Sequence, residues 1–152
     1  NDEEVEMKPT KRNTKHGCRT CKGKCLREAT VQEVQLELIR RSQFNAFDGD
    51  RVARDLRKHR KLWIAVLMDR FGVSNPPWLP SGGLIKLRDL DGNYWNVDTL
   101  FVLAGNARAA RKLASFRDRW IADSAVVHDQ EETERVLGGW GLPGRLVTFW
   151  WD

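Results

Sequence analysis

No apolar run in this chain is longer than residues 62–68, which is far too short to cross a bilayer. No membrane partner is expected. The opening Asn1-Asp2-Glu3-Glu4 lacks the basic-then-apolar order of a secretory signal. Cysteine is scarce: Cys18, Cys21 and Cys25 are the whole complement. An odd number in one cluster makes a poor disulfide framework, and points to the cytoplasm or another reducing compartment. Acid is missing from residues 8–27, which hold eight Lys or Arg and no aromatic ring. Also missing are a glycine-rich phosphate loop, a nucleophile elbow at Ser74, Ser81, Ser115 or Ser124, an internal repeat and a low-complexity tract. No ready-made catalytic motif is therefore present. A triad assembled only in space leaves no such trace, so the enzyme question stays open.

What is present describes a soluble globular chain. Its 152 residues, 41% of them apolar and 31% charged, suffice to bury a core. The net charge of +5 favours an anionic partner. The basic arm carries most of that tendency through Lys8, Lys11, Arg12, Lys15, Arg19, Lys22, Lys24 and Arg27. Without rings to stack on bases, such an arm would meet the phosphate backbone of DNA or RNA. A merely solvated arm is the plain alternative.

The same arm holds the sharpest chemical signal. Cys18 and Cys21 have the Cys-x2-Cys spacing that brings two thiolates to tetrahedral separation, and Cys25 and His16 add two further donors. Four ligands so close in sequence would be strained, and a fourth ligand from elsewhere, His59, would relieve it. The expected cofactor is zinc, with Cys18, Cys21, Cys25 and either His16 or His59 as ligands. An iron–sulfur cluster on the three cysteines is the lesser alternative, and unmetalled thiols are the plain one. His59 also fits as a core histidine on an apolar helix face.

Further along, Thr30 and Glu33 have capping-box spacing before a helix reaching toward residues 44–47. Asp48-Gly49-Asp50 breaks it and can cap a second helix, on which Val52, Leu56, His59, Trp63, Val66 and Leu67 share a face. The pair should pack as a helical hairpin. Residues 74–83, with three prolines and paired glycines, read as a linker. Residues 84–90 alternate apolar and charged, Asp91-Gly92 supplies a turn, and residues 97–104 read as a strand, which predicts a β-hairpin. That turn also has a superficial calcium-loop look, but the bidentate Glu is missing. Asn106 caps a helix over residues 107–121, residues 124–128 form a strand, Asp129 and Glu132 cap a short helix ending at Gly138, and residues 146–151 form the last strand.

The division expected is a basic Cys-containing arm (1–27), a helical hairpin (28–73), a linker (74–83) and a small α/β domain (84–152). The fold class is α+β or α/β, with a mixed or parallel sheet flanked by helices. The strand ends of that domain offer weak catalytic candidates: His128 and Asp129 as a base with a carboxylate, and Arg108 beside a capped helix start. Helix capping explains Asp129 equally well. Of the seven tryptophans, Trp63, Trp95 and Trp120 read as core, while Trp78 and Trp140 are candidates for a protein interface. The function expected first is a non-enzymatic nucleic-acid-associated protein with a zinc-stapled arm. An adaptor binding another protein through Trp-rich surfaces is the alternative, and a small hydrolytic or nucleotide-processing enzyme comes third.

Overall fold

The computed structural model describes residues 25–70, 81–139, 141 and 143–152. A short 3-10 turn, Leu26–Glu28, leads into α1 (Val31–Arg41). The Thr30 hydroxyl accepts from the Glu33 amide while Glu33 reaches back to the Thr30 amide, which is the expected capping box. The two-stranded ribbon β1 (Gln43–Phe44) and β2 (Phe47–Asp48) turns the chain, and Asp48 then caps α2 (Gly49–Lys58) by accepting from the Arg51 amide at 3.0 Å. A Cβ on Gly49 would stand 2.4 Å from the Ile39 carbonyl oxygen and 2.6 Å from that of Arg40. Glycine is thus what lets the start of α2 press on the end of α1. The two helices do pack together, joined by this ribbon.

The second helix stops earlier than its apolar spacing predicts. After Lys58 the chain makes a 3-10 turn, Arg60–Leu62, and then runs as strand β3 (Trp63–Asp69). Residues 62–68 are apolar at every position, so period alone does not separate a helix from a strand there. Pairing with a second strand decides it, and the Trp63 indole N–H, donating to the Leu56 carbonyl at 2.9 Å, fixes the corner.

Residues 84–90 are likewise not a strand but part of α3 (Ser81–Leu90). Asn93, at φ 56°, ends it in the left-handed position usually held by glycine; the amides of Asn93 and Tyr94 return to the carbonyls of Leu90 and Asp89. The Asp-Gly turn therefore terminates a helix instead of joining two strands, and the expected β-hairpin is absent. Polar side-chain contacts hold α3 at both sides: Lys86 pairs with Asp69 of β3, and Asp89 accepts from Asn96 at 2.6 Å.

The remaining order is β4 (Thr99–Ala104), α4 (Ala107–Ala114), α5 (Arg117–Trp120), β5 (Ser124–Val127), α6 (Gln130–Val136) and β6 (Arg145–Trp150). The long helix expected over residues 107–121 is broken between α4 and α5. Its Asn106 cap is as expected, accepting from the Ala109 amide at 2.9 Å. Asp129 and Glu132 close the second capping box, and Gly138, at φ 70°, ends α6.

The larger sheet has the order β3-β4-β6-β5 and is antiparallel throughout. This corrects the expected mixed or parallel sheet. Strands β4 and β5 do run the same way, as a strand-helix-strand unit requires, but β6 enters between them in the opposite direction. The class is mixed α and β, with six α-helices and two antiparallel sheets among the described residues.

Strand β3 precedes residues 74–83 and β4 follows them, so the sheet draws on both sides of that segment. One apolar cluster joins Leu36 and Ile39 of α1, Val52 and Leu56 of α2, Val102 of β4, Leu113 of α4, Trp120 and Trp151. At about 25 cal/mol per Å² of apolar surface, such aromatic and branched side chains each contribute roughly 2 kcal/mol.

Candidate polyanion-binding surface

Residues 49–62 and 106–119 together hold eleven Lys or Arg against three Asp. The fold brings Arg119 beside residues 51–58, and residues 106–112 beside Lys61 and Leu62. Arg51, Arg54 and Lys58 recur at helical spacing on one side of α2, and that side meets Arg119 of α5 across a cavity of about 430 Å³. At the other end, Lys61 of the 3-10 turn faces Asn106, Arg108 and Lys112 of α4 around a second cavity of about 470 Å³. Phe116 joins the two ends. Its ring packs against His59 at 5.0 Å between centroids and lies 5.6 Å from the Lys112 ammonium. Except for Arg51, which is half-buried, the cations of this belt are exposed.

One buried acid sits within it. Asp55 is 2% exposed and accepts from Arg119 Nε at 2.6 Å, Arg119 Nη2 at 2.7 Å and the Trp120 indole N–H at 3.0 Å. Burial pushes its carboxyl up, but the hydrogen bonds from Trp120 and Arg119 outweigh burial and hold it below the ordinary carboxylate value. The Arg119 carbonyl in turn accepts from Arg51 Nη1 at 3.1 Å. The helices α2 and α5 are thus tied through the basic cluster.

The residues singled out from sequence fare unevenly. Lys8, Lys11, Arg12, Lys15, Arg19, Lys22 and Lys24, with His16, Cys18 and Cys21, lie outside the described residues, as do Trp78 and Trp140. Arg27 is exposed in the first 3-10 turn. Cys25 is a half-buried free thiol just before that turn. His59 ends α2, its ring against Phe116. Among the described residues, no three His, Cys, Asp or Glu side chains converge as a metal site would require. His128 is held between Thr148 (Nε2 to Oγ1, 3.1 Å) and Glu132 (Nδ1 to Oε2, 3.4 Å), and Asp129 is occupied as a helix cap. Arg108 belongs to the basic belt, in the cavity with Lys61 and Lys112.

The belt was readable in part. Arg51, Arg54 and Lys58 recur on one helix face, and residues 107–119 have a similar bias. Only tertiary packing makes them one surface. No family model, curated protein or solved structure matches this chain. No helix of the described residues is long and apolar enough to cross a membrane.

Proposed function

We propose that this chain is a non-enzymatic nucleic-acid-associated protein that contacts the phosphate backbone of DNA or RNA. The observation that carries the reading is the belt formed by α2, the 3-10 turn after it, α4 and α5. Its lining cations, Arg51, Arg54, Lys58, Lys61, Arg108, Lys112 and Arg119, surround two cavities, the first of which also holds the buried Asp55 carboxylate. The arm residues 8–27 add a second, acid-free set of cations to the same reading.

Affinity for a short DNA duplex or single strand is expected to fall steeply with salt, because each phosphate contact releases counterions. Replacing Arg108 and Lys112 by Glu is expected to weaken binding at least tenfold at moderate salt. Binding that ignores salt, or survives this charge reversal unchanged, counts against the reading.

Zinc at Cys18, Cys21 and Cys25, completed by His16 or His59, is kept within the proposal as a staple for the arm. Elemental analysis of the purified chain is expected to find about one zinc, lost in Cys25→Ser. His59→Ala separates the two fourth ligands: retained zinc assigns His16. A brown absorbance would replace zinc by an iron–sulfur cluster.

A second reading, an adaptor for another protein, is favoured by the sheet face turned away from the main core. There Leu67, Phe101, Thr148 and Val126 form one row across all four strands, with Trp150 beside it. Leu67 is 43% exposed, Val126 47% and Trp150 38%. A salt-insensitive complex with a protein partner, weakened by Trp150→Ser, would support it.

A further inference from the structure

A carboxylate is an unexpected neighbour for a polyanion. By Coulomb's law alone Asp55 repels any phosphate that enters the cleft between α2 and α5. It is nevertheless the most buried polar group there, and both its oxygens are used. Arg119 engages it through Nε and Nη2, so the guanidinium is pinned although the Arg119 side chain is 57% exposed. A fork held in this way has lost its rotamer freedom on folding and still has unused N–H groups. Across the cleft stand Arg54 and Lys58, which are exposed and have no partner among the described residues. Arg51, also in the lining, is tied to the Arg119 carbonyl and to Asp48, so the cleft sets two fixed cations, Arg119 and Arg51, beside two free ones. No aromatic side chain lines the cavity, so it is suited to phosphate and not to a base.

We propose that this cleft is the phosphate seat of the basic belt, and that Asp55 is a positioning residue that holds Arg119 ready for a backbone phosphate of the nucleic acid. The proposal rests on the nucleic-acid reading given above. Preorganisation lowers the ordering cost of binding, so the buried acid aids the affinity of a basic surface. Asp55 acts through Arg119 and does not touch the phosphate.

Bulk charge and positioning give opposite signs for one substitution. If only net charge mattered, Asp55→Asn would tighten polyanion binding. Positioning requires it to weaken, because Arg119 loses its charged, two-point partner. The experiment is fluorescence anisotropy of the full chain with a labelled 20-base-pair DNA duplex and with a dT20 strand, over a salt series. Arg54→Ala/Lys58→Ala, at exposed unpartnered positions, is expected to weaken binding roughly tenfold and to lower the salt slope by about two. Asp55→Asn is expected to weaken binding several-fold. Should Asp55→Asn fail to fold by circular dichroism, Arg119→Lys replaces it, since Lys keeps the charge but loses the fork; the same loss is expected. Wild-type affinity in Arg54→Ala/Lys58→Ala, or unchanged or tighter binding by Asp55→Asn, overturns the seat.

If Arg108→Glu/Lys112→Glu weakens binding while Arg54→Ala/Lys58→Ala does not, the nucleic-acid reading stands and the seat falls. If the wild-type chain binds neither probe, nor a U20 RNA strand, that reading falls. Inorganic pyrophosphate followed by NMR then judges the seat. Shifts at Arg54, Lys58 and Arg119 support it, and their absence overturns it.

Discussion

Ile121 ends α5 at φ 54°, a left-handed conformation that a β-branched side chain adopts at a cost of about 1–2 kcal/mol. The amides of Ile121 and Ala122 return to the carbonyls of Asp118 and Arg117, so the turn is the kind that glycine normally closes. The side chain is 55% exposed and gains little from burial. Ile121→Gly is therefore expected to stabilise the chain by about 1 kcal/mol, read as a higher midpoint in urea. A lower midpoint would show that the exposed sec-butyl side chain contributes more than the backbone loses. At this same scale the sequence was most legible. The caps at Thr30, Asp48, Asn106 and Asp129 are side-chain hydrogen bonds over three residues, and each forms as its spacing predicts.

At the scale of elements, the free edge of β3 shows how a strand is kept from pairing further. The Gln32 side-chain amide of α1 donates to the Val66 carbonyl at 3.0 Å and accepts from the Val66 amide at 2.9 Å. One side chain thus stands in for the peptide of a missing neighbouring strand. Gln32→Leu keeps the volume and removes both bonds. It is expected to cost about 1–3 kcal/mol and to raise concentration-dependent association in light scattering, since an unpaired edge is a template for another chain. Unchanged stability together with an unchanged scattering mass would count against this role. Elements are also where sequence reasoning failed. Residues 63–69 continue the apolar spacing of α2 and yet form β3, and residues 84–90 alternate like a strand and yet form α3. Each segment was short and ambiguous in period, and partners elsewhere in the chain decided: β4 for the first, Asp69 and Asn96 for the second.

For the molecule as a whole, stability against acid depends on carboxylates spread over several elements. Glu37 is lowered to about 2, chiefly by its hydrogen bonds with Arg40, at 2.7 and 2.9 Å. Asp89 is lowered to about 2, first by Arg88 and then by Asn96. Asp55 is also lowered, as described above. In the unfolded chain these groups return to roughly 4, so the unfolded state takes up protons first as the pH drops. Their contribution is complete above about pH 4 and is lost as pH falls toward 2. A urea midpoint that is flat from pH 7 to 5 and declines below pH 4 is expected, and Asp55→Asn should make the decline shallower. A midpoint already falling between pH 7 and 6 would count against these carboxylates as the source.

Legible in the sequence alone were the capped starts of α1, α2, α4 and α6, the mixed α and β class, strands near residues 97–104 and 146–151, and the concentration of positive charge. These depend on contacts within a few residues, or on composition. The antiparallel order of the sheet, the insertion of β6 between β4 and β5, and the belt that joins α2 to α4 and α5 come from packing between distant segments. Arg119 and Asp55 are 64 residues apart in the chain, and no local spacing encodes their pairing. It arises because the apolar faces of α2 and α5 are buried in one core, which leaves their cations side by side at the surface.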